Sequence, residues 1–413
     1  MAKKKNKRKT NGVNFTMAIA LIILVILAVV VTVISAKRDN VPADSQSELA
    51  ETTAPASPEG TADPSPDDTS SPAQSGTSTT PDGTTATSSE DTPTDPPVDE
   101  KKFYNPLTGL ECSEEISKQR PVAIMINNIH VALPQEGVAN ADVVYECLAE
   151  GGITRLMMLA QDYASLDQVG SIRSSRDYFL DFAQNHDAIY FHAGGSPKAY
   201  NQIAARKINN CDAGTLEGSN PQTFFRDPWR RQNYAWEHTL VIKGEGIVNA
   251  IKMMNYRTEL KSGFTSPFDF ADEKITLDGS DAKCVYLPFS YYQAPYLKYD
   301  ASTGTYKRWQ YNQPHKDKDG TQLEFENIIV LFTYHSGPLD SSGRIAVTTT
   351  GNGEGYYITG GKYVSIKYSK ATVDSPVKLM NADGTPLEIN TGKTYVAVFN
   401  QANKATVNMN YNA

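Results

Sequence analysis

The chain has 413 residues, with 39 lysines and arginines against 47 aspartates and glutamates, so its formal net charge is −8 at pH 7. This balance argues against nucleic-acid binding, because contacts to a phosphate backbone require an excess of basic residues. The charge is uneven: it is +7 over residues 1–40 and −13 over residues 41–100, which leaves −2 for the other 313 residues. The acidity therefore belongs to one short segment.

The N-terminal segment predicts a membrane anchor. Six basic residues lie between Lys3 and Lys9, and residues 17–36 follow, of which eighteen of twenty are apolar. A run of about 20 apolar residues is long enough to cross a bilayer as a helix. The excess of basic residues before this span places residues 1–16 in the cytoplasm as a basic tail. A cleaved signal peptide is the alternative, but its apolar region is usually about 7–15 residues long.

Residues 37–102 predict a disordered acidic linker. Serine, threonine, proline and acidic residues dominate, ten of the 23 prolines fall in residues 41–100, and that window has no aromatic residue. Such a segment cannot bury enough apolar surface to offset the entropy lost on ordering. We therefore expect a single-pass protein of the cell membrane, with its folded domains outside the cytoplasm on this linker.

Residues 103–262 predict an α/β domain with a mixed sheet. Apolar runs predict strands over residues 120–127, 142–148, 154–161 and 188–193. Helical spacing predicts helices over residues 175–185, 197–207 and 246–256, the second with serine at its N-cap and proline at its first position. The run at 154–161 is too short to distinguish a strand from a helix by periodicity alone.

Residues 263–413 predict a second, β-rich domain, so the fold class is α+β. A hairpin is expected over residues 296–309, and single strands over residues 327–334, 344–350, 355–368 and 393–400. Turns rich in glycine, aspartate and asparagine separate them, which is the usual pattern of an antiparallel β structure.

Several motifs resemble the YerB-like family. They are RPVAIMINN (120–128), ADVVYECLAEGGITRLM (141–157), GSIRSSRDYF (170–179), DAIYFHAGGSPKAY (187–200), FFRDPWRRQNYAWEHTL (224–240) and GYYITGGKYVSIKYSK (355–370). The members of this family are bacterial cell-surface proteins, often lipoproteins, with paired N- and C-terminal domains of unknown function. The resemblance implies an envelope location and a two-domain structure, but it implies no mechanism.

Two predicted junctions between a strand and a helix suggest an anion site. Their candidate binding residues are Arg173, Ser174, Arg176, Gly194, Gly195 and Ser196. Backbone N–H groups at a helix start favour an anion, and arginine can clamp phosphate or carboxylate. If the strands run parallel, both junctions lie at one edge of the sheet, where ligand sites of α/β folds usually form.

An ordinary structural role explains the same residues equally well. The glycines could form a tight turn, Ser196 could be a plain N-cap, and the arginines could pair with Glu146, Glu150 or Asp177. Three residues are weak catalytic candidates: Glu146, Glu150 and His192. They could exchange protons only if they converge, whereas a salt bridge or a core histidine is the simpler explanation.

Arg226, Trp229 and Arg230 form an aromatic and basic loop that could bind sugars or an acidic polymer, or could simply be a packed connection. The segment Asp317–Gly320 is similar to a calcium loop, but it lacks the ligand spacing and predicts a turn. The four cysteines (112, 147, 211 and 284) have no metal-ligand spacing, and their disulfide state stays open. We predict neither a metal nor a cofactor.

Two functions follow from this pattern. The first is a non-catalytic binding or scaffold protein for a cell-wall component, such as peptidoglycan or an anionic wall polymer, or for a wall-synthesis protein. The second is an envelope hydrolase or transferase acting on glycan or phosphate-linked polymer, with Arg173 and Arg176 supplying charge and Glu146 or His192 transferring protons. The absence of a known nucleophile or metal motif in the sequence favours the first.

Overall fold

The computed structural model describes residues 101–413, which belong to one compact unit. The predicted basic tail, the membrane helix at 17–36 and nearly all of the linker lie outside the described residues. Within residues 101–413, no helix combines the length and the apolar character needed to span a bilayer. The described part mixes helices with many strands, which agrees with the predicted α+β class.

The described residues contain six α-helices: α1 (Glu114–Lys118), α2 (Asp177–Gln184), α3 (Pro197–Arg206), α4 (Ala213–Leu216), α5 (Pro228–Asn233) and α6 (Gly244–Met253). Short 3-10 helices cover His130–Ala132, Val138–Asn140, Glu150–Gly152, Tyr163–Ser165, Trp236–His238 and Gln401–Thr406.

The strands of the N-terminal half are β1 (Phe103–Tyr104), β2 (Glu111–Cys112), β3 (Val122–Asn127), β4 (Val143–Leu148), β5 (Thr154–Ala160), β6 (Val169–Gly170), β7 (Ile189–His192), β8 (Asn210–Asp212), β9 (Phe225–Arg226) and β10 (Leu240–Ile242). Those of the C-terminal half are β11 (Asp269–Phe270), β12 (Ser280–Asp281), β13 (Cys284–Tyr286), β14 (Tyr296–Asp300), β15 (Thr305–Gln310), β16 (Gln313–Pro314), β17 (Glu324–Phe325), β18 (Asn327–Thr333), β19 (His335–Ser336), β20 (Ala346–Val347), β21 (Gly351–Thr359), β22 (Lys362–Lys370), β23 (Lys378–Asn381), β24 (Glu388–Ile389) and β25 (Thr394–Asn400).

One eleven-stranded sheet runs through both halves. Its order is β12-β22-β21-β18-β25-β4-β5-β3-β7-β8, and β23 also pairs with β22. The join is parallel: β25 pairs with β4, with Thr394 opposite Val143 and Val398 opposite Cys147. Strands from both sides of residue 262 therefore share one sheet, and the proposed division into domains 103–262 and 263–413 stays a prediction.

Both faces of this sheet are buried. Every residue of β18 is buried, with Ile328 and Val330 packing on one face and Ile329 and Leu331 on the other. A strand covered on both faces needs apolar residues at every position, which is why NIIVLFT shows no alternation.

Helices and a second sheet cover these two faces. Ile247 of α6 packs on the first face. The sheet β13-β14-β15-β16 packs on the same face through Leu297 and Tyr306. On the second face pack Phe179 and Phe182 of α2. The predicted hairpin is present as β14 and β15, and it places Arg308 of β15 above the first face.

Some predicted elements differ from the structure. The strand predicted over residues 355–368 was wrong: β21 and β22 form a hairpin there, closed at Gly360 (φ 59°) and Gly361 (φ 77°). Two consecutive positive φ angles suit a two-residue hairpin turn, and glycine adopts them without strain. The strand predicted over 344–350 shortens to β20, whereas the undecided run at 154–161 forms β5.

Further strand pairing is limited at both edges of the large sheet. At β8, the Tyr256 hydroxyl donates to Asn210 O (2.9 Å) and accepts from Asn210 N–H (3.2 Å). At the opposite edge, β12 has two residues and β23 has four. Short or covered edge strands limit pairing with other chains.

Because one sheet joins both halves, we predict that they unfold together. Leu156→Ala in β5 and Ile329→Ala in β18 each remove a fully buried side chain, and each should lower the free energy of unfolding by about 2–5 kcal/mol. Urea unfolding of the purified full-length protein, followed by circular dichroism and tryptophan fluorescence, should show both substitutions shifting the same transition. Two separate transitions, each sensitive to one substitution, would contradict a shared cooperative unit.

Candidate functional site

Two loops meet where β3 and β7 end. Arg173 N–H donates to Met125 O (2.9 Å), and Ala193 N–H donates to Arg173 O (3.1 Å). Ser175 N–H donates to Gly194 O (2.9 Å). Since β3 and β7 are parallel, their carboxyl ends lie at one edge of the sheet. The structure thus brings the two predicted junctions side by side, in a region that we call the carboxyl edge.

At the carboxyl edge, two arginines bind one carboxylate. Arg176 Nη2 and Arg155 Nη2 each lie 2.5 Å from Glu150 Oε1, and Arg176 Nε lies 2.9 Å from Glu150 Oε2. Burial alone would raise the pKa of Glu150, but the charges of Arg155 and Arg176 outweigh it and lower that pKa. Arg176 is therefore held in place by Glu150, and this three-residue cluster carries a net positive charge.

Arg173 contacts a different loop. Its Nη1 donates to Glu237 O (3.2 Å), which connects the carboxyl edge with the 3-10 helix at Trp236–His238. Its neighbour Ser174 is half-buried, and Ser174 O accepts a bond from Arg155 Nη1 (2.5 Å). Of the two arginines predicted to bind an anion, only Arg173 lacks a bound carboxylate within residues 101–413.

The Gly194–Ser196 loop is occupied by a carboxylate of the protein itself. Asp212 Oδ1 accepts from Gly194 N–H (2.9 Å) and Gly214 N–H (3.0 Å), and Asp212 Oδ2 accepts from the Tyr200 hydroxyl (2.7 Å). Burial alone would raise the pKa of Asp212, but His192 and these hydrogen-bond donors outweigh it and lower that pKa. Ser196 is the N-cap of α3 and accepts from Ala199 N–H (3.1 Å), while Gly195 lies half-buried beside it.

His192 is completely buried at the end of β7. Its Nδ1 lies 2.8 Å from Gly194 O, and its Nε2 lies 3.1 Å from Asn210 Oδ1. Both ring nitrogens therefore face oxygen atoms of the fold, and a neutral imidazole can donate to only one of them.

Glu146 lies apart from Glu150, in the core below the hairpin β14–β15. Four side chains donate to its fully buried carboxylate. They are Asn128 (3.1 Å) and Thr154 (2.6 Å) to Oε1, and Arg308 (2.6 Å) and Tyr395 (2.5 Å) to Oε2. β4 is buried on both faces, and Glu146 lies in the core on the same face as Val144, whereas Glu150 lies beyond the end of that strand.

The network continues beyond Glu146 through residues that the sequence analysis missed. Arg308 bonds His315 through Nη1, and His315 Nε2 lies 2.5 Å from Gln135 Oε1. Burial lowers the pKa of His315 well below its ordinary value, and the charge of Arg308 lowers it further. These partners are up to 249 residues apart in sequence, as for Glu146 and Tyr395, so no local motif could reveal them.

The aromatic and basic loop divides into buried and exposed parts. Arg230 is fully buried and donates to Ala132 O (2.8 Å), Pro134 O (2.9 Å), His238 O (2.7 Å) and Glu136 Oε1 (3.0 Å), so its donors serve the fold. Trp229 is half-exposed. Arg226 pairs with Glu217 through two bonds (2.8 and 3.0 Å).

An exposed aromatic surface lies next to Arg226. The Trp236 ring, 55% exposed, has the guanidinium carbons of Arg226 at 4.5 Å and Arg231 at 5.6 Å from its centroid. Arg173 adjoins it through Glu237. We call the surface formed by Arg173, Arg226, Arg231, Trp236 and Glu237 the Trp236 face.

The described residues contain neither a cluster of potential metal ligands nor a disulfide. Residues 101–413 hold no group of three or more histidine, cysteine, aspartate or glutamate side chains placed to bind a metal ion. All four cysteines are free thiols, and burial raises the pKa of Cys147 well above its ordinary value.

The buried network around Glu146 predicts that substitution of Arg308 strongly lowers the stability of the protein. Arg308→Met leaves the Glu146 carboxylate without its counter-ion in the core, so the free energy of unfolding should fall by about 3–5 kcal/mol. Urea unfolding of the full-length protein measures this loss. The double variant Glu146→Gln/Arg308→Met removes both charges and should recover a large part of it. A double variant less stable than Arg308→Met would show that the charge of Glu146 is not the cause.

Two family models match consecutive segments of the chain. The family described as "Protein of unknown function (DUF3048) N-terminal domain" matches residues 107–257, and the corresponding C-terminal domain matches residues 285–396. A Bacillus subtilis (strain 168) protein named "Putative lipoprotein YerB" is 27% identical over 311 residues, which cover 74% of this chain and 89% of that protein.

A solved structure is also similar. The crystal structure of the YerB protein from Bacillus subtilis matches with a TM-score of 0.63 at 25% identity, covering 72% of this chain and 96% of that chain. Both family domains occur in order along this chain, and the similarity extends over nearly the whole of the solved relative. The chain belongs to the YerB-like family, which is characterised by the N- and C-terminal DUF3048 domains.

Proposed function

We propose that this chain is a membrane-anchored binding protein of the cell envelope, which holds an anionic, sugar-containing wall polymer on its Trp236 face. The envelope location is supported by the name of its relative YerB and by the apolar span predicted at residues 17–36. The linker predicted at 37–102 would hold the folded part away from the membrane.

The exposed tryptophan beside two arginines carries the proposal. An aromatic ring offers a flat apolar surface on which a sugar ring can stack, and guanidinium groups pair with phosphate or carboxylate. Trp236 supplies the stacking surface, and the neighbouring Arg226 and Arg231 supply the guanidinium groups. All three lie within about the width of one sugar ring. Arg231 makes no ion pair with any residue in 101–413, so its charge is available to a ligand.

The local charge favours an anionic ligand. Arg173, Arg226 and Arg231 contribute three positive charges, and Glu217 and Glu237 contribute two negative ones. The adjoining cluster of Glu150, Arg155 and Arg176 adds a further positive charge. A surface with this excess attracts polyanions at low and moderate ionic strength.

The environment of the acidic and basic candidates supports binding over catalysis. A general acid or base must come within about 2.6–3.2 Å of a substrate proton. Glu146 is buried among four donors, His192 is buried with both nitrogens bonded, and Glu150 is bound by two arginines. The alternative of an envelope hydrolase or transferase would require these groups to be released.

The test is co-sedimentation of the full-length protein, in detergent, with purified bacterial cell walls. We expect Trp236→Ala and Arg231→Ala each to weaken retention several-fold, and the double variant to weaken it about tenfold, because a stacking surface and a charge are lost. Retention should also fall with added salt, and walls from which the anionic polymer has been extracted should retain the protein poorly.

Arg257→Ala is the matched control. Arg257 is part-exposed and pairs with Asp187 (2.9 Å) just before β7, so it lies at the opposite edge of the sheet from the Trp236 face. Its loss removes the same charge without touching the proposed surface and should leave retention unchanged. Equal retention of the double variant and the control would refute a binding role for the Trp236 face.

A further inference from the structure

Lys370, the last residue of β22, is a buried lysine that contacts an asparagine in the other half of the chain. It is 3% exposed, and its Nζ donates to Asn185 Oδ1 (2.6 Å), to Asp181 O (3.3 Å) and to Ser375 O. Asn185 is also 3% exposed, and it is the C-cap of α2, 185 residues before Lys370 in the sequence. The function proposed for the Trp236 face makes no use of this contact.

The ammonium group of Lys370 forms no ion pair within residues 101–413. Its three hydrogen-bond acceptors are all uncharged oxygens. The neighbouring carboxylates of Asp181 and Asp374 lie 2.6 Å from nitrogens of Arg206 instead. A buried charge without an ionic partner is costly, so a reaction that removes this charge would be favourable.

Part of the Lys370 amine is uncharged near neutral pH. Burial lowers the pKa of Lys370 to about 8, and the carboxylates of Asp181 and Asp374 only partly oppose this shift. About one tenth of the amine is therefore neutral at pH 7, whereas less than about one thousandth would be neutral at the ordinary pKa of lysine. A neutral amine has the free electron pair that a nucleophile needs.

The side-chain amide of Asn185 is oriented by a partner at each end. Its oxygen accepts from Lys370, and its Nδ2 donates to the Tyr145 hydroxyl (3.4 Å). Because Nζ lies 2.6 Å from Oδ1, an ordinary hydrogen-bond angle places Nζ about 3.4 Å from the amide carbon Cγ. Reacting atoms about 3–3.5 Å apart are close enough for attack. The lysine and the amide are thus positioned to react with each other.

We propose that Lys370 and Asn185 form an isopeptide bond in the folded protein. The uncharged Nζ attacks Cγ of Asn185, and the Nζ–Cγ bond forms. The Cγ–Nδ2 bond then breaks, and the proton lost by Nζ passes to Nδ2, which leaves as ammonia. One amide replaces another, so the reaction needs no oxidant, reductant or further reactant. The distance of 2.6 Å between Nζ and Oδ1 is that of a hydrogen bond and describes the two side chains before the reaction.

This bond would connect the two halves of the chain covalently. α2 belongs to the N-terminal half and β22 to the C-terminal half, and the four cysteines of residues 101–413 are all free thiols. A cross-link between distant residues restricts the unfolded chain and thereby favours the folded state. Unlike a disulfide, an amide is not broken by reducing agents. The cross-link does not depend on the function proposed for the Trp236 face.

The experiment is mass spectrometry of the purified full-length protein. We expect its mass to be lower than that of the sequence by one molecule of ammonia. Trypsin should release a joined peptide of residues 177–198 and 368–378, because it does not cleave after a lysine whose amine is in an amide. Lys370→Arg and Asn185→Ala should each have the mass of their sequence and give no joined peptide. Lys367→Arg, at an exposed lysine of the same strand, is the matched control and should keep the joined peptide.

The joined peptide distinguishes this bond from a loss of ammonia elsewhere, such as succinimide formation at another asparagine. The proposal is overturned if the unsubstituted protein keeps the mass of its sequence after incubation at pH 8, where about half of the Lys370 amine is uncharged. A loss of ammonia that persists in Lys370→Arg without a joined peptide would overturn it as well. Because the unsubstituted protein alone gives the first result, a variant that fails to fold does not obscure the outcome.

Discussion

The fold depends on a single buried carboxylate. Glu146 lies on a central strand of the sheet with no exposure to solvent, and an unpaired charge there would cost several kcal/mol. Its donors come from four separate segments: the end of β3, the start of β5, β15 of the second sheet, and β25. All four must be in register before the charge is compensated. This requirement ties the C-terminal hairpin to the N-terminal strands more specifically than apolar packing alone could, because apolar contacts tolerate small shifts.

Local patterns in the sequence were sufficient for most of the secondary structure. β18 is an unbroken apolar run, and α3 begins with the Ser196 cap and proline that predicted it. The hairpin of β21 and β22 was missed because Gly360 and Gly361 interrupt a run that otherwise alternates like one strand. The environment of Glu146 could not be predicted at all. Nothing in DVVYECL indicates that this residue faces Arg308, which follows 162 residues later.

The sequence correctly placed the two strand-to-helix junctions side by side, but it could not show which contacts their residues make. Parallel pairing of β3 and β7 did bring Arg173 close to Gly194, as the sequence suggested. The charge balance of the loops, however, depends on Asp212 and Glu150, whose positions follow from long-range pairing. Those two carboxylates are compensated inside the fold, whereas Arg231 of α5 makes no ion pair within residues 101–413 and belongs to the Trp236 face.

The Tyr256 hydroxyl forms hydrogen bonds with both backbone groups of Asn210, and this affects how crowded copies of the protein can associate. Copies held on one membrane by the predicted anchor would reach a high local density, and an open sheet edge would then allow neighbours to join strand to strand. Tyr256 closes that route at β8, and at the far edge β12 and β23 are too short to nucleate a long ladder. Contacts between neighbouring copies would therefore be made by side chains and would be reversible, and the sheet of each folded part would stay separate.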